Sequence, residues 1–435
     1  MSQPTAGQPP ATCDVLIVGA GLAGLACARV LAAQGVETVV VDAADGVGGR
    51  VRSEKVYGFT VDRGFQLLNP AYPEVRRVID VEHLRLQRFP AALVVATDGH
   101  KLTLADPRHA PRELPGTARA LLGGRLGSPR EFAAFAAWAL GSARRAPREL
   151  TGGPDGTWGA ELDARGITGS LRRRVVEPFL AGVLGERDGS TSHRYLRLLV
   201  RSFVRAAPGL PWRGMQALPD QLAAALPADV PVHLGVRALA VRPGQVVTDH
   251  GEVHARVVVV ATDPAAASEL VGLPAVATHA LTTFWHVSGE LPTRSAALHV
   301  DGDATGPVVN SVVISNTARG YSPDERSLIA TTVLGATADA ETERAVLSQL
   351  SRMYRASTTW WDLARVHALP AALTAMPPPR EVRQPVDLAP GLVVAGDHRD
   401  TASLQGALVS GRRAAGAVLE QLRTGGLGLE TRGVA

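Results

Sequence analysis

The chain has 435 residues, 46% hydrophobic, 20% charged and 4% aromatic, with 45 Gly, 30 Pro and a formal net charge of +4. At about 100–200 residues per domain this is two or three domains, too apolar for a disordered chain and with glycine too scattered for a collagen. Lys55 and Lys101 are the only lysines and no block of like charge exceeds Arg172-Arg173-Arg174, so a nucleic-acid partner is not expected.

Residues 1–12 are rich in Pro, Gln, Ser and Thr. They lack the basic start and apolar centre of a secretory signal and read as a disordered tail. Residues 13–18 form a β-branched apolar run, expected as a buried parallel strand. Gly19-Ala20-Gly21-Leu22-Ala23-Gly24 follows, then a helix pattern over 25–34 stopped by Gly35, and a second strand over 38–41 ending in Asp42. The 15–28 stretch is the longest apolar one, but it is broken by glycine and is shorter than the ~18 residues of a bilayer-spanning helix. Together these elements make GxGxxG in its required context, with strand before, helix after and an acidic residue roughly 20 positions on.

Each position has a physical reason. Gly19 makes the tight turn, Gly21 clears the backbone for a pyrophosphate, and Gly24 lets helix and strand approach. The helix N-terminus then faces the phosphates with unpaired N–H groups. Asp42 suits a ribose 2′-hydroxyl, which argues for an unphosphorylated adenosine ribose.

The next residues are Gly48-Gly49-Arg50, and then Gly58-Phe59-Thr60-Val61-Asp62-Arg63-Gly64-Phe65-Gln66. Here the sequence resembles the flavoprotein superfamily of amine oxidases, protoporphyrinogen oxidases and phytoene desaturases. The resemblance implies FAD, with Gly48, Gly49 and Arg50 helping to hold its diphosphate and the Gly64, Phe65 and Gln66 segment running past the isoalloxazine. An arginine fork can bind two phosphate oxygens at once.

Further along, residues 131–145 place Phe132, Phe135, Trp138 and Ala139 on one helix face. That face suits either a peripheral membrane contact or packing on its own domain. Passages over 177–192 and 212–222 match the superfamily in outline, with Trp212-Arg213 standing where a glycine pair is usual. A strand pair is expected over 232–236 and 246–248, with Val236 where the family places a backbone contact to adenine. The C-terminal Gly396-Asp397, followed by Ser403-Leu404-Gln405-Gly406-Ala407 and a helix to about 422, resembles the family's second flavin motif. It implies Asp397 at the ribityl chain, and Leu404, Gln405, Gly406 and Ala407 beside the pyrimidine ring.

The expected fold is α/β: a discontinuous Rossmann-like FAD-binding domain (13–85, 208–264 and 385–423) with an inserted α+β substrate domain (86–207 and 265–384). The resemblance implies an FAD-dependent oxidoreductase that takes a hydride from a small hydrophobic substrate, with O2 or a quinone as electron acceptor. Amine oxidases of the superfamily typically hold a lysine beside the flavin in their C-terminal half. This chain has none after Lys101, which favours the protoporphyrinogen oxidase and desaturase branch. Trp360 and Trp361 lie in a passage similar to that branch and equally suit core filling. A lysine-free amine oxidase and a redox-neutral isomerase are the alternatives, and no catalytic acid or base stands out. Cys13 and Cys27 lack CxxC spacing, and His193, His286, His299 and His398 lack a partner at i+3 or i+4. Disulfides and a metal site are therefore not expected, and a cytoplasmic location is.

Overall fold

The protein is described by a computed structural model covering residues 8–425. The tail expected over 1–12 falls largely outside the described residues. Within them, Gln8 Nε2 donates to the His250 carbonyl at 2.8 Å and Thr12 already opens the first strand.

Two sheets organise the chain. The first has a parallel centre: Thr12–Val18 lies between Thr38–Asp42 and Gly251–Val260, with Val15 opposite Thr38 and Val257, and Val18 opposite Val41 and Val260. Val232–Leu234 extends it beyond Thr38–Asp42, and Leu392–Val394 pairs with the end of Gly251–Val260. A parallel sheet is covered on both faces, which is why these strands read as unbroken β-branched runs. Val15, Ile17, Val40, Val257 and Val259 face a core shared with the helices Leu22–Ala32 and Leu404–Arg423. Leu16, Val18, Val39, Val41, Val258 and Val260 point the other way, into a core with Val246, Val253 and Ala267. The two helices cross closely: a Cβ at Gly411 would stand 2.1 Å from the Ala23 carbonyl oxygen.

The strands expected as a pair do not pair with each other. Val232–Leu234 joins the parallel centre, whereas Gln245–Thr248 sits antiparallel between Ala238–Arg242 and Gly251–Val260. A tight turn at Gly244 (φ +77°) makes the local hairpin, and that short-range closure wins the partner.

The second sheet has seven strands in the order Trp361–Thr374, Thr278–Ser288, Ser327–Leu334, Val308–Val313, Leu298–Asp301, Ala92–Thr97, His100–Ala105. One face, through Trp285, Val287, Val312, Leu328 and Ala330, joins the core of the first unit. The other face is covered by the helix Ala340–Tyr354 through Val346, Leu350, Met353 and Tyr354. A helical cluster, including Pro129–Arg144, Glu177–Leu184 and His193–Arg205, packs around Trp138, Trp158, Leu196 and Leu199. The aromatic stripe of Pro129–Arg144 is turned into this cluster, and Trp138 Nε1 donates to Glu161 Oε1 at 3.0 Å. Trp138 and Ala139 are buried in the cluster, and Phe132 and Phe135 are half-buried against it. The architecture is α/β, with a Rossmann-like unit assembled from distant segments and an inserted α+β unit.

Candidate functional site

The first turn folds as its glycines require. Gly19 (φ +112°) donates its N–H to the Val41 carbonyl at 2.7 Å. A Cβ at Gly24 would stand 1.9 Å from the Gly19 carbonyl oxygen, whereas one at Gly21 would meet nothing within 4 Å. Gly24 is thus a contact point between helix and turn, and Gly21 keeps an open face. The helix begins at Leu22, earlier than its apolar pattern suggests, and no side chain caps it, so its first N–H groups are available to an anion. The second glycine pair stacks on the first: Gly48 bridges Gly21, and a Cβ at Gly49 would lie 3.6 Å from the Gly21 Cα.

Asp42 is fixed by two amides. Its Oδ2 accepts from Ala20 N–H at 2.6 Å and its Oδ1 from Ala44 N–H at 2.8 Å. Each oxygen keeps a lone pair for a hydroxyl. The Val236 N–H donates to the Asp42 carbonyl at 2.9 Å. The amide of Val236 is therefore taken, and any contact to a base at this position falls to its carbonyl.

The chain's two ends meet at Arg50 and Asp397. Arg50 Nη2 donates to Asp397 Oδ1, and Thr374 Oγ1 donates to Asp397 Oδ2 at 3.0 Å. Burial alone would raise the Asp397 pKa, but the Arg50 guanidinium and the Thr374 hydroxyl hold it below the usual carboxylate value. Gly396 (φ +148°) donates its N–H to Ser410 Oγ at 3.0 Å, and the His398 ring packs so tightly that a Cβ at Gly396 would stand 2.4 Å from it. His398 is buried, with both ring nitrogens unpartnered among the described residues, and burial pushes its pKa down to about 4, leaving a neutral ring.

At the start of Leu404–Arg423 the Ser403 hydroxyl accepts from Gly406 N–H at 3.1 Å, and Ala407 N–H donates to the Ser403 carbonyl at 3.0 Å. The amides of Leu404 and Gln405 are the helix's remaining unpaired donors. Gln405 turns its side chain outward, with Oε1 accepting from Glu74 N–H at 2.9 Å.

The segment Gly64-Phe65-Gln66 is clamped from both sides. Gln66 Nε2 donates to the carbonyls of Arg50 and Arg63, each at 2.8 Å. Phe65 N–H donates to Thr283 Oγ1 on the second sheet at 3.1 Å. Glu54, on the two-stranded hairpin Ser53–Val56/Phe59–Asp62, adds a tie to the second sheet, accepting from Arg365 Nε at 2.8 Å and lying 2.7 Å from His367 Nε2.

Beneath this segment Asp62 is buried. It accepts from Ser53 Oγ at 2.5 Å, Met215 N–H at 3.0 Å and Tyr321 OH at 2.7 Å. The same knot requires Gly214 (φ +94°), whose Cβ would stand 2.6 Å from Ser53 Oγ. Burial pushes the Asp62 pKa up to about 6. An unfolded aspartate titrates near about 3.9, so the folded state takes up this proton first. Its contribution to stability is fully present below about pH 4 and is lost as pH rises through about 6. Denaturant unfolding across that window should show the decline, and Asp62→Asn should flatten it. Asp62→Ala strands three donors and is expected to cost about 2–3 kcal/mol by the same measurement.

These features suit FAD. A diphosphate here would find uncapped helix amides, the open face of Gly21 and the Arg50 guanidinium. A flavin end would find the unpaired amides of Leu404 and Gln405 and the unpartnered groups of His398 and Gln66 Oε1. Sequence reasoning missed Thr374 and Thr283, which strand pairing places, and the packing of His398, which a short 3-10 turn over Asp397–Arg399 turns back on Gly396; no local motif marks any of them. Trp360 is 80% exposed, whereas Trp361 is buried against Tyr354 and His286. No cluster of three potential metal ligands occurs among the described residues, and no described helix is long and apolar enough to cross a membrane.

The flavin containing amine oxidoreductase family model matches residues 22–419. The chain is 38% identical over 93 residues to a putrescine oxidase of Kocuria rosea, covering 21% of this chain and 20% of that protein. It is 40% identical over 77 residues to protoporphyrinogen oxidase 2 of Arabidopsis thaliana, covering 18% and 15%. The matched stretches thus span at most a fifth of these curated relatives. The fold is similar, at TM-score 0.71 and 15% identity, to an oxidoreductase from Methanosarcina mazei, over 94% of this chain and all of that one. The chain belongs to the flavin containing amine oxidoreductase family.

Proposed function

We propose that the enzyme dehydrogenates or desaturates a small hydrophobic substrate, in the manner of the protoporphyrinogen oxidase and desaturase branch, with O2 or a quinone as acceptor. The cofactor part of this reading is supported by the meeting of Arg50 with Asp397, which joins the dinucleotide half of the chain to its C-terminal half at one point; the branch is carried by the lysine content of the chain. When bound, the FAD takes a hydride from a substrate C–H at N5.

The chain's own residues divide the remaining work. Gly19, Ala20, Gly21, Leu22, Ala23 and Gly24 with Asp42 would hold the adenosine and diphosphate, and Val236 would offer the base its carbonyl. Gly48, Gly49 and Arg50 close over the diphosphate, with Asp397 holding the guanidinium in place. The helix start at Leu404, Gln405, Gly406 and Ala407, where Ser403 caps the Gly406 amide and leaves those of Leu404 and Gln405 unpaired, would offer positive potential where reduced flavin carries negative charge. Gly64, Phe65 and Gln66, clamped to the second sheet, set the distance between cofactor and substrate. The three segments 13–85, 208–264 and 385–423 form the cofactor unit in this reading, and the rest holds substrate.

The absence of any lysine after Lys101 supports the branch. The similarity to a putrescine oxidase favours the second reading, amine oxidation without that lysine. The two separate in an anaerobic titration of the oxidised holoenzyme, followed by flavin absorbance. Bleaching by porphyrinogens or polyenes and not by primary or secondary amines is the expected result. Bleaching by amines alone would overturn the branch assignment.

A further inference from the structure

One row of side chains crosses the flavin-side face of the second sheet. Asn310 is directly opposite Thr332, Thr332 opposite Thr283, and Thr283 opposite His367, so all four share one face on four adjacent strands. The adjacent row on that face is apolar, running Val312, Ala330, Trp285. A polar row in such a face is costly unless its atoms are hydrogen-bonded.

One end of the row is tied to the protein. His367 Nε2 meets Glu54, with Nδ1 left unpartnered, and Thr283 accepts from the Phe65 amide, which ties the row to the Gly64–Gln66 segment. The other end has no such tie. Thr332 Oγ1 and Asn310 Oδ1 are buried and have no hydrogen-bond partner among the described residues. Gly182 of the helix Glu177–Leu184 closes over this end, where a Cβ would stand 1.9 Å from Asn310 Nδ2. The unsatisfied pair therefore lies between that helix and the segment assigned to the isoalloxazine.

We propose that Asn310 and Thr332 are specificity residues that receive one neutral hydrogen-bond-donating group of the substrate, an O–H or N–H close to the carbon that is oxidised. This rests on the assignment of the Gly64–Gln66 segment to the flavin. A carboxylate would set acceptor against Asn310 Oδ1, and a bare hydrocarbon would leave both atoms unpaired. The row holds no carboxylate for an ammonium, because Glu54 at its far end is engaged by Arg365 and His367.

The test is binding to the oxidised holoenzyme, read as perturbation of the flavin absorbance. The probes are benzyl alcohol, benzylamine at high pH and toluene, together with their cyclohexyl and 2-naphthyl counterparts. Within at least one shape set the alcohol or amine should bind about tenfold or more tightly than the hydrocarbon. Thr332→Val and Asn310→Leu should each erase that preference, and Thr332→Ser should restore it, with FAD content and thermal midpoint unchanged. No preference in any set, or a preference untouched by both variants, overturns the proposal. Reduction of the flavin by hydrocarbon polyenes as fast as by polyenes or porphyrinogens that carry an O–H or N–H would defeat this inference and leave the oxidoreductase reading standing. A flavin that no C–H donor reduces would defeat the reading beneath it.

Discussion

Gly24→Ala is expected to yield protein without flavin. The added methyl would stand 1.9 Å from the Gly19 carbonyl oxygen and 3.3 Å from Ile17 Cγ2, so the clash is with backbone, which has no rotamer to change. Relief requires the helix Leu22–Ala32 to move away from the strand Thr12–Val18. That helix also touches Leu404–Arg423 through backbone at Gly411, so the displacement reaches both halves of the cofactor site. Overpacking of this kind costs about 3 kcal/mol. Flavin absorbance per chain after purification, with circular dichroism as the folding control, is the measurement. Gly21→Ala is the contrast. A Cβ there meets no protein atom within 4 Å, so that variant should fold normally and lose FAD affinity alone. Equal flavin content in Gly24→Ala and wild type would mean that the turn is not the phosphate site.

Asp397→Ala should cost both stability and cofactor. The Asp397 carboxylate is buried while the Arg50 side chain is 38% exposed. The loss is therefore expected at about 2–3 kcal/mol, below the range for fully buried pairs. Thr374 Oγ1 and Arg50 would both lose their acceptor. Asp397→Asn keeps the shape and one acceptor. It should recover most of the stability and little of the FAD affinity if the charge is what orders Arg50. Because the pair holds the Asp397 pKa below its ordinary value, its contribution is present above about pH 4 and is lost on acidification through the lowered pKa. Chemical unfolding at pH 7, with FAD release followed by fluorescence, separates the two effects.

The parts of this site that were legible in the sequence are those made by neighbours in the chain. Gly19, Gly21, Gly24 and Asp42 carry a turn, an open face, a helix contact and a strand end within one βαβ unit, so spacing alone reveals them. Even there, Gly24 sits inside the helix and hid its true start at Leu22. Arg50 and Asp397 were each visible as motif residues, but their contact across 347 positions is a product of the fold. The stripe of Phe132, Phe135 and Trp138 shows the limit from the other side. Its periodicity suits a lipid surface as well as a protein core, and only the fold shows that Trp138 is buried in the cluster around Trp158 and Leu196 while Phe132 and Phe135 are half-buried at its edge. Asn310, Thr332 and Thr283 lay beyond sequence reasoning altogether. They come from three strands with no shared motif, and register alone makes them neighbours.

The central claim is that both ends of the chain build one site spanning an adenosine half and a flavin half. Calorimetric titration of the apo-protein with FAD, FMN and NAD tests it most directly. One FAD per chain, bound at least a hundredfold more tightly than FMN or NAD, is the expected result, since each of the others fills only one half. FMN or NAD binding as tightly as FAD would show that the two halves do not act on one ligand, and would contradict the account.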